Sequence, residues 1–445
     1  MSEAGGEGDR SPAGVAAGLI RRFLGGALTA VLVGCSAAPS MTPSPAASVV
    51  STEAPSAQPS PSAPSPIPSP TAPPLSPPPT APPDPAYSGS FGVLPAPAPA
   101  GFQARIACTG RIGADDPVAI VRMHGGGDDE LVLRDYADVA HPRTACTFAG
   151  AWIRQLIDPR HVVVTDNDAE FAGLFAVVEL PAVRYAWFQL PRSQAEWGPE
   201  LITVGPALDR IVWKDVHAED TDTDILYLST ANRTRVLRTV VDTNSGRCGQ
   251  GTDSIQGRFT ISGSYFNVLN QPVIGDESLL VYKGHDEQLS ILPPNGHWAS
   301  GRQPIMAVWS PVTPTLYWSQ DGDVWRWTPD AGKQVFIAGV TWFDPTISAD
   351  GRYLAYATPR ADGKDVTYLV DLEGDAVPHR IGDGPRGSPR FVNATQLWWR
   401  VQSAGHGCTG PQPGPAIYNV ATGSEDGSVV DDVIATWPAT KAGAW

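Results

Sequence analysis

Two acidic runs are the residues of this chain best suited to chemistry. In DVHAEDTDTD (residues 215–224), Asp220, Asp222 and Asp224 alternate as the first ligands of a calcium loop do. Ile225 stands where such a loop needs its turn glycine, and Ala231 where it needs its bidentate Glu. The same alternation suits a solvated hairpin tip, so the tip is the favoured reading, with calcium as the competing one and no other cofactor expected. In VTDNDAEF, Asp166, Asp168 and Glu170 could supply the paired carboxylates of glycoside or lyase chemistry, although nothing in the sequence fixes their separation. The eight histidines form no HExxH, and there is no GxSxG nucleophile elbow, phosphate loop or dinucleotide fingerprint. No catalytic residue is assigned on this basis.

Five cysteines are present. Cys108, Cys146, Cys248 and Cys408 lack CxxC spacing, which disfavours a metal site. An even number in an exported chain suggests two disulfides, with three possible connectivities. Cys108–Cys146 is preferred because IACTG and TACTF fall in one proposed repeat; Cys248 and Cys408, both in Gly-rich stretches, would then join distant repeats.

Positioning elements for any of these residues must come from residue 101 onward. There, apolar residues recur with period two, or in short runs rich in Val, Tyr, Trp and Phe separated by Gly, Asp, Asn and Pro. That pattern reads as all-β. DPTIS, RYLAYAT, VTYLVDLEG and PHRIGD give four strands within about 40 residues. PIMAVWS, TPTLYWSQ, DVWRWTPD and KQVFIAG precede them, and SPRFVN, QLWWRVQ, AIYNVATG and EDGSVV follow. At the other end ARIACTG, DPVAIVRM, ELVLRDY and RTACTF read as the first unit. Such repetition predicts a β-propeller of about seven four-stranded blades, six or eight being the alternatives and a pair of β-sandwiches the competing architecture. Trp309, Trp318, Trp325, Trp327, Trp342, Trp398 and Trp399 crowd the last three units and are expected mostly between blades.

The stretch Ile347-Ser348-Ala349-Asp350-Gly351-Arg352-Tyr353-Leu354-Ala355-Tyr356 resembles the TolB-type, WD-like propeller repeat, whose core is Ser-Pro-Asp-Gly-Lys before an apolar strand. Ala349 replaces the usual Pro. The resemblance is clear in one unit and suggestive in its two neighbours, and it implies the fold alone.

Residues 36–100 hold 21 of the 45 prolines, with only Glu53 and Asp84 charged. Residues 35–100 are therefore expected to form a disordered, polyproline-like spacer, reaching on the order of 200 Å if fully extended. Before it lie Arg21-Arg22 and an 11-residue apolar run, Phe23–Val33, too short to span a bilayer. Leu32-Val33-Gly34-Cys35 then resembles the bacterial lipobox. The resemblance implies a signal peptide over residues 1–34, diacylglyceryl transfer to the Cys35 thiol and cleavage before it. The Arg pair followed by Phe23-Leu24 is similar to a twin-arginine signal, one residue short. The expectation is a monomeric lipoprotein on the extracytoplasmic face of the membrane.

The net charge of −15 disfavours a nucleic-acid partner. Loss of residues 1–34 removes three acids (Glu3, Glu7, Asp9) and three bases (Arg10, Arg21, Arg22) and leaves it unchanged. The functional expectation is a binding or protein-interaction scaffold of the cell envelope, with a protein or glycan partner. The alternative is an envelope enzyme acting on a glycan or other polymer through carboxylates in the propeller funnel.

Overall fold

The turn Ser348-Ala349-Asp350-Gly351 shows how this sequence builds a blade. Ser348 and Tyr353 close the hairpin, with Ser348 N donating to Tyr353 O (2.9 Å) and Tyr353 N to Ser348 Oγ (2.9 Å). Ser348 Oγ in turn donates to Asp350 Oδ1 (2.6 Å), which also accepts from Arg352 N (3.1 Å). Gly351 has φ +77°, and a Cβ there would lie 2.3 Å from Val312 Cγ2 of the preceding unit. A left-handed φ and a neighbour at contact distance both require glycine. The same closure recurs upstream, where Gly263, at φ +71°, donates to Thr260 O, and Thr260 N to Tyr265 O.

The structure is a computed structural model. It describes residues 90–441 apart from 124–129, 139–140, 150, 167–172, 192–198, 219–221, 243–255, 271–277, 285–286, 293–305, 361–363, 402–413 and 429–430. Its strands form seven antiparallel sheets. Blade 6, for example, runs Phe343–Ile347, Tyr353–Pro359, Asp365–Asp371 and His379–Ile381 from the inside outward. Blades 3, 4, 5 and 7 follow the same four-strand order, with innermost strands Glu200–Val204, Gln256–Phe259, Ala307–Trp309 and Arg386–Phe391. Blade 2 starts with Ala151–Asp158 and gains a fifth, outermost strand, Leu94–Ala96.

Blade 1 differs from the unit expected at the start of the chain. Ile106–Cys108 is its outermost strand, not its innermost. Inward follow Arg143–Phe148, Glu130–Asp135 and Val118–Met123, and the innermost place is taken by the C-terminal strand Asp431–Trp437. Both ends of the chain thus close the ring. Cys108 and Cys146 face each other in register and are joined by a disulfide. The propeller also begins before residue 101. Phe91 is fully buried against Phe175 and Phe188 in the core shared by blades 2 and 3, so the last residues of the expected 35–100 spacer belong to the folded body.

Seven hydrophobic clusters fill the seven interfaces between neighbouring blades. The second strand of blade 6 explains how. Leu354 and Tyr356 face blade 5, beside Trp342 and Val308. Ala355, on the other face, leaves room for Trp399 and Phe391 of blade 7. Both faces are covered, so the strand reads as a continuous apolar run instead of a polar alternation. Trp309, Trp318, Trp342, Trp398 and Trp399 are fully buried in these interfaces, as expected for inter-blade packing.

After Trp437 the chain enters the axial channel. Thr440 and Lys441 pair with Ile347 and Thr346 on the inner edge of blade 6. Thr346 Oγ1 donates to Thr440 O (2.8 Å), and Thr440 Oγ1 donates to Trp309 O of blade 5. These contacts lie where the innermost strands end. The C-terminal segment therefore occupies the channel on the side of the first-to-second-strand turns.

Candidate functional site at the axis of blades 6, 7 and 1

The innermost strands of blades 6 and 7 carry the same irregularity. Their ladders slip between Phe343 and Thr346 and between Gly387 and Arg390. Each slip contains an X-Pro pair, Asp344-Pro345 and Ser388-Pro389. Proline has no N–H for the ladder, which confines it to bulges and edges. The preceding residues take left-handed φ values of +46° (Asp344) and +51° (Ser388). A left-handed, non-glycine residue before proline is sparsely populated and costs on the order of 1–3 kcal/mol. The two bulges are joined: Ser388 Oγ donates to Asp344 Oδ2 at 3.0 Å. Strain of this kind persists where the surrounding structure over-determines it, often at ligand clamps.

Arg390 follows two residues after Ser388. Its guanidinium lies over the buried Trp398 ring, 5.4 Å from the centroid, and its Nε is buried with no hydrogen-bond partner. Arg400, two residues beyond Trp398, sits 6.0 Å from the same ring and donates from Nη2 to Asp432 Oδ2 at 2.6 Å. Asp432 belongs to the innermost strand of blade 1, so the C-terminal closure completes this group. Burial pulls the Arg390 pKa down to about 10; Asp344 and Asp432 oppose that shift and Arg400 adds to it.

Three blades therefore converge on one guanidinium. Asp344 is engaged by the Ser388 hydroxyl and Asp432 by Arg400, which leaves Arg390 Nε as the group with an unmet donor. A buried donor without an acceptor costs about 1–3 kcal/mol, and more when charged. An unmet guanidinium donor beside an aromatic ring is a group that can engage an acceptor, either a carboxylate or a carbonyl.

The acidic residues singled out from the sequence lie elsewhere. Asp222 and Asp224 belong to the third strand of blade 3, Asp222–Thr230, where they pair with Ala218 and Val216 of the strand before it. Asp220 lies outside the described residues. Asp166 ends the strand His161–Asp166 of blade 2, and Asp168 and Glu170 lie outside the described residues. Among the described residues no group of three or more His, Cys, Asp or Glu could hold a metal ion. Cys35, Cys248 and Cys408 also fall outside them.

Arg390, Arg400, Asp344, Ser388 and Asp432 were not singled out from the sequence. One signal was present: DPTI and SPRF place X-Pro at the same point of successive repeats, 44 residues apart. Only the ring closure brings Asp432 to them.

No protein-family profile matches the chain, and no curated protein matches it. Among solved structures it is similar to a prolyl endopeptidase, with 11% identity over 75% of this chain and 52% of that one and a TM-score of 0.49. Puromycin hydrolase matches with 14% identity over 78% and 57% of the respective chains and a TM-score of 0.46. TolB from Acinetobacter baumannii matches with 10% identity over 73% and 79%, TM-score 0.35. The chain spans little more than half the length of the two hydrolases. At this distance none of the three carries an argument about activity or partners.

Proposed function

We propose that this chain is a lipid-anchored β-propeller of the cell envelope, held on the extracytoplasmic face through Cys35, that binds a partner at the axial group of blades 6, 7 and 1. The supporting observation is the unmet Nε donor of Arg390, packed on Trp398 between carboxylates that already have partners. A fixed, desolvated guanidinium recognises an acceptor geometrically and needs no chemistry of its own. The partner of this reading is an envelope protein or glycan presenting a carboxylate or carbonyl group, and the propeller acts as a monomer. The lipobox and the Pro-rich stretch behind it support the anchor and a long tether. A second bridge between Cys248 and Cys408 belongs to the same proposal, with Asp220, Asp222 and Asp224 read as a solvated hairpin tip in preference to a calcium site.

The enzymatic alternative rests on the approach of Asp344 and Asp432 to Arg390 from two different blades. Cross-linking in intact envelopes, comparing wild type with Arg390→Met, separates the two readings. A protein or glycan adduct that falls at least tenfold in the variant is the expected result. Unchanged adducts would remove the axial binding site. Glycan cleavage by the purified full chain, lost in Asp344→Asn or Asp432→Asn, would replace binding with catalysis. Intact mass of the membrane-fraction protein tests the anchor: a chain beginning at Cys35 with acyl groups is expected, and one retaining residues 1–34 would overturn it.

A further inference from the structure

The geometry points to a second, separate binding site on the outer half of blade 3, on the side that faces blade 4, which takes the oxyanion group (carboxylate, phosphate or sulfate) of a small molecule. A cavity of about 380 Å³ opens there, lined by Asp209, Leu228, Thr230, Asn232, Arg233 and Arg235 among others. That volume is in the range of small-molecule pockets.

The lining comes from two turns on one side of blade 3. Asp209 lies in the turn between its first and second strands. Thr230, Asn232 and Arg233 belong to the hairpin joining Asp222–Thr230 to Arg233–Asp242. Leu228 and Arg235 are register partners on those two strands, so their side chains share the face turned to blade 4. Leu228, an apolar part of the cavity wall, belongs to the same core cluster as Phe259, Phe266 and Tyr282 of blade 4.

Arg235 is the centre of the argument. Its Nε and Nη2 are both buried, and neither has a hydrogen-bond partner. The Tyr282 hydroxyl is likewise buried without a partner, and it sits within the field of Arg235 and Arg238, which opposes the upward push that burial gives its pKa. Asp209, the carboxylate of the lining, is engaged by Arg210, with Arg210 Nε donating to Asp209 Oδ1 at 2.9 Å. Two desolvated N–H groups on one guanidinium edge lie beside a second arginine, Arg233, and the Asn232 amide at the rim, while the one carboxylate of the lining, Asp209, is engaged by Arg210. Nε and Nη2 of one guanidinium present the parallel fork that matches two oxygens of an oxyanion. An oxyanion seated on Arg235 would satisfy both nitrogens at once. This site does not depend on the axial reading, which uses other blades and the opposite end of the strands.

The test is a titration of the full chain at constant ionic strength with sodium acetate, sulfate or phosphate, against sodium chloride, read by thermal unfolding and calorimetry. One saturable site is expected for at least one of the three oxyanions. Arg235→Met should weaken it at least tenfold, and Arg233→Ala or Asn232→Ala, both on an exposed turn, severalfold. These last two keep the test decisive if Arg235→Met does not fold. The order of affinity among acetate, sulfate and phosphate identifies the oxyanion. Binding that survives all three substitutions would overturn the proposal. So would binding lost in Arg390→Met instead, which would place the anion at the axis. A melting temperature that rises no more with the oxyanions than with chloride would overturn it as well.

Discussion

Blade 6 and blade 1 have the same architecture and opposite origins. In blade 6 four strands follow one another within residues 343–381, joined by short connections. In blade 1 the innermost strand comes from residues 431–437 and the outermost from 106–108, with most of the propeller between them. Every ladder of blade 6 made from its own four strands is a local hairpin. Blade 1 exists only when the ring has closed, so its inner strand reports on the whole propeller. The disulfide Cys108–Cys146 and the pairing of Thr440 with Ile347 both fasten chain ends to this closure. A closed ring has no exposed inner edge at the seam, which removes a site of edge-to-edge association.

Breaking the seam should do the most damage. Val433 is fully buried on the innermost strand of blade 1, in the cluster shared with blade 7. Val433→Asp should cost about 4 kcal/mol or more, because it places an unpaired charge in the seam. Denaturant unfolding should then show loss of cooperativity, with blade 1 opening first by hydrogen exchange. Uniform destabilisation with unchanged cooperativity would mean the seam is no weaker than the rest. Next in size is Trp398→Ala on the blade 7 side of the same interface. Trp398 is fully buried, and its removal should cost about 3–5 kcal/mol. It should also release Arg390 and Arg400, which pack over its ring, and so weaken axial binding together with stability.

Removing the Cys108–Cys146 bridge should be milder. The loop of 38 residues gives about 4 kcal/mol in the chain-entropy model, and about 2–4 kcal/mol is expected for Cys108→Ser combined with Cys146→Ser. The loss should appear as earlier release of the outermost strand of blade 1, with blade 6 unaffected. Within blade 6 a local change should stay local. Gly351→Ala meets both a left-handed φ and Val312 Cγ2, and should cost more than about 1 kcal/mol. Gly322→Ala, at φ +80° with nothing within 4 Å, keeps the backbone strain of about 1 kcal/mol but meets no neighbour, and should cost less than Gly351→Ala. Equal effects would show that the approach to blade 5 is unimportant.

The smallest effect concerns the blade 6 surface. Arg352 donates from Nη2 to Asp371 Oδ2 (2.9 Å), and that hydrogen bond, helped by the backbone N–H of Glu373, holds the Asp371 carboxyl below its ordinary value against the opposing desolvation. A lowered folded pKa contributes stability above about pH 4, lost as pH falls through the folded value. Arg352→Met should therefore lower the melting temperature slightly at pH 7, with the difference from wild type vanishing in acid. An unchanged difference at low pH would show that the pair is not the cause.

The repeat was legible where each strand's own residues decide it. Asp350-Gly351 specifies the turn, and the runs LYWS, YLAYA and QLWW are buried on both faces, so β-formers without polar alternation mark them plainly. The tryptophans were readable for the same reason. What the local pattern could not carry was the position of a strand within its sheet. IACTG pairs as an outer strand because the inner place is filled from residues 431–437, and nothing within IACTG records that. Phe91 likewise sits in a Pro-rich context, yet the space between blades 2 and 3 buries it completely.

By itself the sequence determined the repeating hairpins, the all-β class, the burial of the tryptophans and the turn that demands Gly351, because each depends on residues within a few positions of one another. Tertiary structure alone decided the seam, the C-terminal segment in the channel and the axial group. Asp344, Arg390 and Asp432 lie in three blades and meet only around a common axis, and no periodicity in the chain encodes which innermost strands will be neighbours once the two ends are paired.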